Sequence, residues 1–227
     1  MDWLKNKKTA FHIHTSYSYD SRLAPAAVVD YFVEEGFDTI IITDHETISG
    51  AVEAAEYAEK NYPGKISVII GEEIKTDIGD ITGFPLSRKI GAGNFFDVTK
   101  EIKEQDAVVC LPHPFSSHDL SAIASAKYLD EIDFIEVFNA RCSDAANESA
   151  VKLQMKFKKY PVIGSDAHVK EELANTYFIW DNDFSIKESL TLKTTKRYVR
   201  KSQLVKSIKR KDIPCLIKNM LLYCINH

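Results

Sequence analysis

Thr39-Ile40-Ile41-Ile42-Thr43-Asp44-His45 decides the fold class. Five strand-forming residues with no polar alternation describe a strand buried on both faces, as in parallel sheets covered by helices. The run ends directly on an acid and an imidazole. Upstream, Pro25 suits the first turn of a helix, Val28, Val29, Phe32 and Val33 form an apolar stripe at helical spacing, and Gly36 can close it. A helix followed by a doubly buried strand is the repeating unit of an α/β protein.

The same grammar recurs outward from this unit. A helix is expected over about 49–60, then a strand over 66–70 that ends at Gly71-Glu72-Glu73. A short strand over 81–84, a helix over 96–103 and a strand over 107–111 follow, the last entering Pro112-His113-Pro114. Residues 134–138 read as strand, 145–158 as helix, and Val162-Ile163 as a short strand before Gly164-Ser165-Asp166-Ala167-His168. Residues 174–180 can add an edge strand. The succession points to an α/β barrel rather than a sandwich or a helical bundle.

With 227 residues, 44% hydrophobic and 27% charged, the chain is long enough for one domain with a large core, and disordered or collagen-like classes are excluded. No uncharged apolar run approaches the roughly 18 residues of a membrane span. The first ten residues lack the apolar core of a secretory signal, so a cytoplasmic location without membrane attachment is expected. The four cysteines, Cys110, Cys142, Cys215 and Cys224, are widely spaced and read as reduced thiols. Charge is uneven: the net −4 divides into +9 over residues 185–227 and −13 over the rest. We therefore expect a barrel domain over 1–184 and a basic helical tail over 185–227. Leu204, Ile208, Ile213, Leu216, Ile217, Leu221 and Leu222 give that tail an apolar face to dock on the barrel. The tail's charge also leaves room for nucleic-acid binding.

Residues able to bind metal stand just past one expected strand after another, and in an α/β barrel those strand ends converge on one mouth. They are His12 and His14 with Asp20, His45 with Asp44, Glu72 and Glu73, Asp80, His113, and Asp166 with His168. Strand alternation turns His12 and His14 to one side, and likewise Asp166 and His168. Asp44 could instead cap a helix, Glu72 and Glu73 face opposite ways, and His118 and His227 read as surface residues. Mixed imidazole and carboxylate ligands suit Zn, Mn or Fe, and so many imply more than one ion. Such ions would also turn an acidic body into a mouth for anions.

Taken in order, His12-Ile13-His14-Thr15-Ser16-Tyr17-Ser18-Tyr19-Asp20, Ile42-Thr43-Asp44-His45, Gly71-Glu72-Glu73-Ile74, Leu111-Pro112-His113-Pro114-Phe115, the 135–141 run through Arg141, and Gly164-Ser165-Asp166-Ala167-His168 resemble the PHP (polymerase and histidinol phosphatase) family over roughly residues 9–180. The resemblance implies a distorted seven-stranded TIM-like β/α barrel with two or three divalent ions at its C-terminal mouth. It implies that His12, His14 and Asp166 hold one ion, that Glu73 is shared with a second ion held by His113, and that Asp20, His45 and His168 hold the third. Asp80 stands where many relatives have a histidine.

The expected activity is that of a stand-alone, metal-dependent phosphoesterase using a metal-bound hydroxide, with Glu73, His45, Asp166 and His168 in the catalytic set. Arg141 and Ser165 are the candidates for gripping the phosphate. Its substrate is expected to be a phosphorylated small molecule, a nucleotide or a short oligonucleotide. Two rivals are an amidohydrolase-type metal hydrolase, whose bridging lysine is not evident, and a non-catalytic metal-binding module with a nucleic-acid-binding tail.

Overall fold

The structure is a computed structural model that describes residues 4–116 and 126–225; His118 and His227 lie outside them. Its sheet begins with three parallel strands, β1 (Thr9–Ile13), β2 (Thr39–His45) and β3 (Ser67–Thr76). β4 (Gly79–Phe84) runs antiparallel to β3 and to β5 (Val108–Leu111), after which β6 (Phe134–Asn139) and β7 (Tyr160–Gly164) restore parallel pairing. Helices α1 (Pro25–Glu34), α2 (Ser49–Asn61), α3 (Phe95–Lys103), α4 (Ala126–Leu129) and α5 (Asp144–Phe157) fill the connections. β3 outruns the expected strand by carrying Glu72 and Glu73 inside the ladder with β4.

β2 shows why the isoleucine run decides the fold. Ile40 and Ile42 pack outward with Val28, Val29 and Phe32 of α1, while Ile41 turns inward to Phe11, Phe84, Phe134 and Trp180. All three isoleucines are fully buried, and each contributes about 1.5–3 kcal/mol of apolar burial. Gly36 follows α1 at φ +67°, a conformation that a Cβ would oppose.

The sheet has nine strands rather than seven. β8 (Thr176–Trp180) and β9 (Ile186–Thr191) form a hairpin, with β8 antiparallel to β1. The free side of β1 is shared: its first residue, Thr9, pairs with Phe178, whereas its end meets the segment after β7. There Ser165 N donates to Phe11 O (3.1 Å), Ala167 N to His12 O (3.2 Å) and His14 N to Ala167 O (2.9 Å), so the barrel nearly closes at its mouth. The strand expected over 174–180 is thus the shorter, inner β8, and β9, which fell within the expected helical tail, is the edge.

The tail becomes helical in α6 (Lys196–Lys209) and α7 (Ile213–Ile225). α6 packs against the barrel. It buries Ser202, Val205 and Ser207, and Lys209 Nζ donates to the carbonyls of Ser16, Ser18 and Ser21 at 2.7 Å each. α7 does not dock as expected, because its contacts are with α6, which leaves Ile213, Ile217, Met220 and Leu221 more than half exposed. Deleting residues 200–227 is expected to destabilise the protein by a few kcal/mol, on the order of one buried valine plus the lost α6 hydrogen bonds. An unchanged melting curve with loss of oligonucleotide binding would instead mark the tail as a nucleic-acid arm. No helix among the described residues is long and apolar enough to cross a membrane, and all four cysteines are free.

Candidate metal centre

The nine candidate ligands arrive at the mouth from every quarter of the barrel. β1 and the turn after it bring His12, His14 and Asp20; β2 ends on His45; β3 and β4 bring Glu73 and Asp80; His113 follows β5; Asp166 and His168 follow β7. Glu73 is the hub. Its carboxylate lies 3.5 Å from His12 Nε2, 3.4 Å from His14 Nε2, 3.0 Å from His45 Nδ1 and 2.9 Å from His113 Nε2. Asp166 Oδ1 stands 3.3 Å from His14 Nε2, and Asp20 bridges His168 Nε2 (3.2 Å) and His45 Nε2 (3.5 Å).

Among the described residues, four groups of three could each hold a metal ion, with one donor atom per residue and all donors within 4.8 Å of one another. They are His12–His14–Glu73, His12–His113–Asp166, Glu73–Asp80–His113 and His14–His45–His168. The fit to cations rests on unsatisfied atoms. His12 Nε2, His14 Nε2, Asp20 Oδ1 and Glu73 Oε2 are buried without a hydrogen-bond partner, yet face one another across the mouth. Buried polar atoms are rarely left so, and shared cations would satisfy all four.

The charge pattern agrees. Burial, then the imidazoles of His168 and His45, push His14 down to about 3, leaving it neutral as a ligand must be. Burial opposes protonation of His45 and His113 too, but Glu73 beside both outweighs it and holds them up to about 10 and about 9. Working against burial, His45, His12 and His113 keep Glu73, and His12, His14 and His168 keep Asp166, well below the usual carboxylate range.

Backbone conformation aims several of these side chains. β1 shifts register between Phe11 and Ile13, and His12 in the bulge has φ +64°. The extra residue lets the rings of Phe11 and His12, adjacent in the chain, lie together with centroids 5.6 Å apart. His113 (φ 27°) and Asp166 (φ 51°) are also left-handed, so one ligand group consists wholly of residues in a conformation that costs roughly 1–3 kcal/mol each.

Three carboxylates that the sequence left without a supporting role hold this arrangement. Glu136 is buried in β6, where it meets His12 Nδ1 (2.9 Å) and accepts from His113 N (2.6 Å) and Asn139 Nδ2 (3.0 Å). That contact fixes the His12 tautomer and leaves Nε2 for the centre. Asp44 is neither a ligand nor a helix cap. It accepts from Thr15 N (2.7 Å), Thr15 Oγ1 (2.6 Å) and Ser18 Oγ (2.5 Å), and Ser18 Oγ stands 3.1 Å from His14 Nδ1. Glu172, fully buried, accepts from Arg141 Nε (3.2 Å) and His168 N (2.8 Å). The signal for Glu136 was its place in a doubly buried strand, where an acid needs a partner.

Arg141 reaches the site with Nη1 3.0 Å from His168 Nδ1, while Nη2 donates to Ser202 of α6 at 2.6 Å. Ser165 does not fit its expected phosphate role. It is fully buried and its hydroxyl donates to His12 O (3.1 Å), closing the barrel instead. Glu72 faces away from the mouth as expected, accepts from Ile90 N (2.8 Å), and is pushed by burial up to about 7. Tyr19 lies flat on His45, with ring centroids 4.5 Å apart and planes at 7°, and α6 sets Lys206 (4.7 Å) and Arg210 (4.2 Å) over its ring. Among the described residues, every ion pair of Glu73, Asp20 and Asp166 is with a histidine and none with a lysine.

The family model for the PHP domain matches residues 10–210. This chain belongs to the PHP domain family. Two uncharacterized proteins of Methanocaldococcus jannaschii are similar to it: one is 30% identical over 88% of this chain and 86% of its own length, the other 35% identical over 59% and 82%. Among solved structures, a two-domain protein from Bacteroides vulgatus containing a predicted PHP-like metal-dependent phosphoesterase shares 21% identity at a TM-score of 0.61, over 76% of this chain and 58% of that one. A putative metal-dependent phosphoesterase from Bifidobacterium adolescentis shares 16% at 0.59, over 87% and 96%. An amidohydrolase from Chromobacterium violaceum shares 14% at 0.61, over 81% and 91%. At these identities the likeness is one of fold. This PHP chain shares its nearly closed barrel with both groups.

Gly164 lets the PHP centre close. A Cβ there would run into the Glu136 carboxylate and come within 2.9 Å of His12 Cβ. Gly164→Ala is therefore expected to cost about 2 kcal/mol or more through overpacking, and 10–100-fold in metal affinity through the displaced Glu136. Thermal melts and metal titration read the two effects separately.

Proposed function

We propose that this protein is a metal-dependent phosphoesterase that hydrolyses a small phosphomonoester, a nucleotide or a short oligonucleotide. The observation that carries the reading is the set of buried, unpartnered ligand atoms facing one another beside an arginine fork. His12, His14, Glu73 and Asp166, Glu73 with Asp80 and His113, and Asp20 with His45 and His168 would hold two or three ions of Zn, Mn or Fe. Bound cations would supply an activated water and neutralise the phosphoryl oxygens.

The protein's own groups do the rest. Glu172 and Ser202 orient Arg141, whose remaining N–H donors hold the phosphoryl oxygens as water attacks phosphorus in line and the ester P–O bond breaks. With two ions bound and Asp20, His45 and His168 free of metal, His45 or His168, which flank Asp20, gives the leaving alkoxide its proton. The complete set of donors favours catalysis over a regulatory module, and the absence of lysine from their ion pairs disfavours the amidohydrolase reading. A turnover screen with added Mn over phosphomonoesters, nucleotides and short oligonucleotides, with elemental analysis, tests the proposal. Metal-loaded protein that releases phosphate from none of them would overturn it.

A further inference from the structure

Between α6, α7 and the loops beside the mouth lies a cavity of about 470 Å³ that plays no part in the reaction described above. Leu23, Val169, Leu204, Val205 and Ile208 form its aliphatic wall. Two features join it to the phosphoester site. His168, paired with Asp20 and 3.0 Å from Arg141, is also part of the cavity wall. α6 serves both: Ser202 receives Arg141, and Leu204, Val205 and Ile208, on the same helix, line the cavity. A phosphoryl group held by Arg141 therefore has apolar room close by.

The volume and apolar character suit the organic part of a small ligand. A flat nucleobase is bound by stacking between aromatic faces, and the wall offers only Tyr223 and the His168 imidazole, which Asp20 and Arg141 already hold. Flexible aliphatic groups need none. Arg22 and Lys170 also line the cavity and give it a positive field that draws in an anionic ester, while Lys201 beside them pairs with Glu171.

We propose that this cavity receives the organic half of the substrate, which is the phosphate ester of an aliphatic alcohol. The proposal rests on the phosphoesterase reading. Its test is a calorimetric titration of the Mn-loaded protein with non-hydrolysable methyl, propyl, butyl and hexyl phosphonates, run beside turnover of the matching alkyl phosphates. Affinity is expected to rise about fourfold per added methylene until the cavity is full. Leu204→Trp, which fills the cavity, should flatten that slope, and Val205→Phe serves as a second filler if the first folds poorly. A flat series in the unmodified protein, or a slope unchanged in a folded filler variant, overturns the proposal. Rising affinity with no ester hydrolysed upholds the cavity and overturns the phosphoesterase reading. Hydrolysis of methyl phosphate with a flat series does the reverse.

Discussion

Asp166→Asn and Glu73→Gln are each expected to reduce phosphoester hydrolysis by on the order of 10³ or more while leaving the fold in place. The amide keeps the shape of each side chain but removes the anion. At Glu73 the loss is felt by four imidazoles at once, since His12, His14, His45 and His113 all lie within 3.5 Å of its carboxylate. At Asp166 it removes the negative charge opposite His14 and His12. Glu72→Gln is the control, because Glu72 serves the backbone at Ile90 and faces away from the mouth. Initial rates on the best substrate, with circular dichroism of each variant, decide the matter. Full activity in both site variants would end the metal-assisted mechanism.

Adding Mn or Zn to the metal-free protein is expected to stabilise it by about 4 kcal/mol for each ion present at a thousandfold excess over its Kd. For a chain of this size that is a rise in Tm on the order of 10 °C per ion. The gain comes from giving cations to four buried ligand atoms that lack a hydrogen-bond partner in the protein. At least two ions per chain should be retained, as counted by elemental analysis. His45 and His113, held up to about 10 and about 9 by Glu73, must shed protons to accept a cation, so binding releases acid and weakens as pH falls. A Tm indifferent to metal, with no ion retained, would contradict the centre.

The sequence made the strands of the first half legible because their residues, such as Ile40 to Ile42, are apolar on both faces. It made the ligands legible because each follows a strand end. β9 was missed because Lys187-Glu188-Ser189 carries no apolar alternation, and its pairing with β8 comes from the hairpin rather than from its own propensity. Ser165 was misjudged because its neighbours are site residues, whereas its hydroxyl is taken up by the β1 backbone. The part played by Glu136 could not be read from spacing, since His12 and His113 are far from it in sequence and meet it only when the barrel closes. The tail's apolar stripe was visible, but not that α7 would pack chiefly on α6.

His12, His113 and Asp166 sit in left-handed backbone, where glycine would be at ease and an L side chain is not. Glycine at each position would relieve about 1 kcal/mol of backbone strain, but at His12 it would also strip the buried carboxylates of Glu73 and Glu136 of an imidazole partner, a loss of about 3–5 kcal/mol. Heat resistance and ion retention should therefore fall together in a triple glycine variant, and one that melts higher while keeping less metal would show that backbone strain outweighs those contacts.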